Sequence, residues 1–206
     1  GSRLPTRPRS SGGRSCCTVG LCGKDIHCSA LQDIIVHQTK TLAWYLRHNH
    51  IEAGEYSKYI YDGLVATTTN VNFDENRLIK LIASLNECIG KVKAGASPAC
   101  GDINIESYEL PWLLQQAQYI TLAGRRGKFG DTIAGMQELI LYGLKGTASY
   151  ICQAQELSFS NQEIDSGFVE ALAFLASEPG DLDQLVIMSL RVGELNYWAM
   201  ALLDDA

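Results

Sequence analysis

The chain has 206 residues, 46% of them hydrophobic, and a net charge of -6, so it can bury the core of one large domain or two small ones. The acidic balance argues against general nucleic-acid binding, which favours a basic surface. No apolar run approaches the ~18 residues of a membrane span, and no charged-then-apolar leader opens the chain. The expected setting is therefore aqueous and cytoplasmic, without membrane or nucleic-acid partners.

Residues 1–15, GSRLPTRPRSSGGRS, carry four arginines and no acid. They cannot bury a hydrophobic face and are expected to be a disordered tag or linker, or the remnant of an Arg- and Ser-rich transit peptide. The last reading would place the protein in an organelle. Residues 16–28 form a cysteine motif loop that begins CCTVGLCGKD. Of seven cysteines, Cys16, Cys17, Cys22 and Cys28 fall here, while Cys88, Cys100 and Cys152 are scattered and read as inert. An odd count is a poor disulfide framework. Three readings stay open for the loop: a disulfide, a zinc or iron–sulfur site, or small buried residues without chemistry. Thiolates are the usual cluster ligands, and glycines let a backbone bend around a cluster.

A repeat organises the remainder. LQDIIVHQTKTLAWY (residues 31–45) and MQELILYGLKGTASY (residues 136–150) share five of fifteen positions: Gln32/Gln137, Ile35/Ile140, Lys40/Lys145, Ala43/Ala148 and Tyr45/Tyr150. About one identity is expected by chance. Each segment carries an apolar stripe at helical spacing, through Leu31, Ile34, Ile35, Leu42 and through Met136, Leu139, Ile140. Ser29 and Asp131 are the expected N-caps. Two further stripes follow each first helix at offsets of 107 to 108. The expected fold is all-α: two tandem three-helix bundles, 29–93 and 131–206, joined by a linker, 94–130, with a short helix starting near Pro111.

Most polar candidates read as surface. Gln32, Gln137, Lys40 and Lys145 lie beside apolar stripes and are expected to face water or make packing contacts. His48 and His50 suit the negative end of a helix. GRRGKFG, residues 124–130, resembles a phosphate cradle only loosely, lacking the preceding strand, and reads as a basic connecting loop. From residue 151 to 206 there are ten acids and one base, Arg191, which predicts an acidic face.

The cysteine loop and the stretches after it resemble the start of the hybrid cluster proteins, also called prismane proteins or hydroxylamine reductases. That family's pattern is close to G-C-T-T-V-G-V-C-G-K, then A-L-Q-D-L-L. MQELILYGLKGTASY and RVGELNYWAMALLDDA are similar to its later motifs. The resemblance implies an all-helical amino-terminal domain of two three-helix bundles, followed by two α/β domains. It implies an iron–sulfur cluster ([4Fe-4S] or [2Fe-2S]) near the amino terminus, a hybrid iron–sulfur–oxygen cluster further on, and reduction of hydroxylamine or nitric oxide. The implied partners are the remaining domains, an electron-donor protein and a second copy in a homodimer. Cys16 and Cys22 match the third and fourth cysteines of the first-cluster motif, with Gly20, Gly23 and Lys24 around them. The family's leading C-x2-C, expected about eight to eleven residues before Cys16, is replaced by residues without cysteine. Cys17 and Cys28 are the candidate substitutes. Every hybrid-cluster ligand is implied beyond Ala206, so the 206 residues alone are expected to be inactive and to have no catalytic residue.

Overall fold

The computed structural model describes residues 24–68, 71–99 and 101–206. Among them there is no strand, and seven α-helices carry the fold. They are α1 (Ile26–His48), α2 (Ser57–Ala66), α3 (Glu75–Val92), α4 (Leu110–Ala117), α5 (Leu122–Glu156), α6 (Gln162–Ala176) and α7 (Leu182–Asp204). The protein is all-α. None of these helices is long and apolar enough to cross a membrane.

The starts follow from capping chemistry. Asp25 opens α1, its carboxylate accepting from the Cys28 N–H at 2.7 Å. Ser29, the residue expected in that role, already lies in the first turn, because the aspartate reaches the free N–H groups four residues earlier. Asp74 caps α3 through the Asn76 and Arg77 N–H groups, and Asp181 caps α7 through that of Gln184. These two aspartates occupy equivalent places in the repeat. Pro111 stands in the first turn of α4, where its missing N–H costs nothing.

α5 departs from expectation. GRRGKFG is not a loop but the opening turns of α5, whose cap is Thr121, accepting from Gly124 N–H at 3.1 Å. The helix is broken at Gly130, which has φ 79° and ψ 168°, a conformation that suits glycine. Asp131, the expected cap, stands just after this break.

The helices of the two repeats interlock. α1 packs on α3 of its own copy and on α6 of the other, while α5 packs on α7 and on α2. One continuous apolar cluster runs through both copies, from Leu31, Ile35 and Leu85 to Ile140, Leu172 and Leu195. α1 is therefore covered on nearly every side, and even Gln32, His37, Gln38, Thr39 and Thr41 are buried. Two glycines allow the close approaches. A Cβ on Gly63 would lie 2.6 Å from Thr39 Oγ1, and one on Gly167 would lie 2.5 Å from Leu195 Cδ2. Between the copies, the Tyr61 hydroxyl of α2 donates to Asp165 of α6, and its ring meets Phe168 edge-on at 5.0 Å.

Candidate functional site

Cys16, Cys17 and Cys22 lie outside the described residues, as does Cys100. Lys24, two residues after Cys22, is the first described residue. Lys24 is buried, and its Nζ donates to Gln32 Oε1 at 2.5 Å. Gln32 Nε2 in turn donates to the Ala66 and Asn72 carbonyls, both at 3.2 Å. A cation, an amide and the end of the α2–α3 loop thus form one clamp at the base of α1.

The second copy builds the same device. Arg125 donates to Gln137 Oε1 at 3.4 Å, and Gln137 Nε2 donates to the Pro179 carbonyl at 2.8 Å. Pro179 stands 107 residues after Asn72, at the equivalent point of the α6–α7 loop. Gln32 and Gln137 were expected to face water or make packing contacts. Both are buried instead, because each satisfies a loop carbonyl that helix packing has taken from solvent. Their identity in the two repeats was the available signal.

Cys28 is described, and its thiol donates to the Phe73 carbonyl at 3.2 Å. Burial, then a hydrogen bond to Asp25 and its charge, pushes the thiol up to about 11. It is held neutral, and ligation would require both deprotonation and loss of that bond. Cys88 and Cys152 are likewise raised by burial, Cys152 to about 11. All three are free thiols.

Beside Cys28, the Asp25 and Glu75 carboxylates and the His27 imidazole bring ligand atoms within 4.8 Å of one another. These are oxygen and nitrogen donors, and His27 Nδ1 is already paired with Glu75 at 3.1 Å. Such a set does not suit an iron–sulfur cluster, which takes thiolates. Among the described residues no set of thiolates is gathered for a cluster, and Cys16, Cys17, Cys22 and Cys100 lie outside them.

The Prismane/CO dehydrogenase family matches residues 11–206. The chain belongs to that family. Among its relatives, the hydroxylamine reductase of Acidithiobacillus ferrooxidans is 35% identical over 96% of this chain and 38% of its own length. That of Burkholderia ambifaria is 34% identical over 91% of this chain and 36% of its own length. That of Rhodospirillum rubrum is 32% identical, covering 94% and 38%. The chain thus spans little more than a third of the curated relatives it matches. The prismane match covers the cysteine loop and both repeats, so Lys24 and the two glutamine clamps lie within the family's own frame.

Proposed function

We propose that this chain is the amino-terminal helical domain of a hydroxylamine reductase-like enzyme, and that Cys16 and Cys22 hold part of an iron–sulfur cluster there. The observation that carries the reading is the family match from residue 11 to 206, together with relatives named hydroxylamine reductase. A thiolate-bound iron cluster supplies electron transfer when present. The chain's own residues supply the seat. Lys24, two residues from Cys22, is fixed on α1 through Gln32, which gives the cysteine loop a rigid base.

The domain also offers a packing surface. On α7, Val186, Leu190, Tyr197 and Met200 recur at helical spacing and are exposed, with Leu190 69% accessible, while Leu185, Val192, Leu195 and Ala199 fill the core. A helix apolar on two sides is normally covered on both. In this reading the outer side of α7 receives the remaining domains of the parent enzyme or a second copy. A cluster-free scaffold with free thiols is the second reading, favoured by the absence of a C-x2-C before Cys16.

Hydroxylamine reduction tests the division of labour. The 206-residue polypeptide, supplied with hydroxylamine and a reduced viologen dye under anaerobic conditions, should show no steady turnover, because cofactor chemistry needs the cofactor's own ligands. Sustained dye oxidation that depends on hydroxylamine would place a catalytic centre within these residues and overturn the proposal.

A further inference from the structure

A half-open cavity of about 450 Å³ lies where α1, the opening of α5 and the end of α6 converge. From α1 it is lined by His37, Lys40 and Thr41, and from α5 by Arg125 and Lys128. Each group is spaced by three or four residues, so each helix turns a single face to the cavity. The lining holds three cations against one acid, Glu178. Lys128 is paired with Glu178 at 2.6 Å, and Arg125 with Glu138 at 2.6 Å. Lys40 stands beside Arg125; burial first, then the Arg125 charge, brings its ammonium down to about 8, against the weaker opposing pull of Glu138 and Glu178.

Two further groups point to a ligand. His37 Nε2 and Thr41 Oγ1 are buried and have no hydrogen-bond partner, although the side chains are only 7% and 1% exposed. The Thr41 hydroxyl lies near enough to the Asp102 carboxylate to lower its pKa but makes no bond of full geometry with it. Buried polar atoms of this kind are normally satisfied, by protein, water or ligand. Here the unsatisfied groups and the cations can all donate. His37, whose imidazole burial first and then the charges of Lys40 and Arg125 bring down to about 3, is neutral and donates from Nε2 in one of its two tautomers, and in that tautomer an acceptor carrying negative charge satisfies the whole group together. The first turn of α5 adds its positive end, since Thr121 and Gly124 also line the cavity.

We propose that this cavity binds the phosphate group of a small phosphomonoester, held by Lys40, Arg125, His37 and Thr41. The volume exceeds that of a bare oxyanion and falls within the range of small-molecule pockets. Tyr119, Ile120 and Ala176 supply a less polar wall for the organic part. The site lies on residues distinct from the cysteine loop, and its test is independent of any cluster.

The 206-residue chain, titrated calorimetrically with inorganic phosphate and with glycerol 3-phosphate at pH 7 and constant ionic strength in chloride, should bind one anion saturably. Tighter binding of glycerol 3-phosphate supports a phosphomonoester, whereas equal affinity reduces the proposal to a free-phosphate site and overturns its organic part. Lys40→Met should weaken binding by about tenfold or more, as loss of a charge-assisted contact does. Thr41→Val, which keeps the shape of the side chain, should weaken it several-fold. Lys91→Gln, which removes a surface lysine paired with Glu87 elsewhere on the molecule, should leave it unchanged. The ring nitrogen resonances of His37 should shift on saturation. No saturable binding above chloride, or binding that Lys40→Met and Thr41→Val leave intact in folded protein, would remove the site.

Discussion

Replacing Lys40 with methionine is expected to stabilise the fold at pH 7. Lys40 is partly buried on α1 at the wall of the cavity, where burial first, then repulsion by Arg125, lowers its pKa from 10.5 to about 8. Below about 8 the lysine is charged in both the folded and unfolded chains, and the whole unfavourable difference is present. Between 8 and 10.5 the folded lysine has lost its proton while the unfolded one keeps it, so stability rises with pH. Above 10.5 both forms are neutral and the difference is gone. A shift of this size corresponds to at most about 3 to 3.5 kcal/mol, and methionine keeps the apolar stem without the charge. Denaturant unfolding should show this gain at pH 7 and a steady decline toward pH 10.5. A destabilised Lys40→Met variant at pH 7 would mean that the ammonium makes a net favourable contact.

Tyr61→Ala should cost about 3 to 5 kcal/mol, the range for deleting a large aromatic from a core. Tyr61 is 1% exposed and joins the repeats, its ring edge against Phe168 and its hydroxyl on Asp165. Tyr61→Phe separates the two contributions. It keeps the ring and removes the donor, at about 1 to 3 kcal/mol. Burial raises the Asp165 carboxyl, while the Tyr61 and Ser57 hydroxyls pull it back down. Without Tyr61 that pKa rises further. A raised folded carboxylate pKa means stability present at low pH and lost as pH climbs through it. The Tyr61→Phe penalty should therefore be larger at pH 7 than near pH 4, and equal penalties at both would show that Asp165 does not depend on this hydroxyl.

Helical periodicity was enough to read the long elements, because α1, α3, α5 and α7 each bury a stripe that recurs in the linear sequence. Gln32 and Gln137 were misread for a reason particular to polar core residues. Their partners are the Asn72 and Pro179 carbonyls, some 40 residues away, and only the folded loops bring them there. GRRGKFG was misread because three glycines and no apolar stripe describe a loop by composition. Its helix is set instead by the Thr121 cap and by Arg125 reaching Gln137 and Glu138. Of the candidate cluster ligands, Cys28 is the one among the described residues, and its thiol donates a hydrogen bond to the Phe73 carbonyl, a partner 45 residues away that the linear sequence does not reveal. The cavity around His37 had no linear signature, since its walls come from α1, α5 and the end of α6.

In the proposed function the cysteine loop, CCTVGLCGKD, is half of a cluster site. In that proposal Cys16 and Cys22 would supply two thiolates, and a four-thiolate cubane needs two more. Iron and sulfide analysis after anaerobic reconstitution measures this directly. The unmodified chain should hold fewer than four irons. A variant with C-x2-C placed about eight to eleven residues before Cys16 should hold about four, turn brown and absorb broadly near ~400 nm. Cys22→Ser in that variant should abolish the cluster, and Cys152→Ser should not. Four irons on the unmodified chain, or none on the completed motif, would contradict the account.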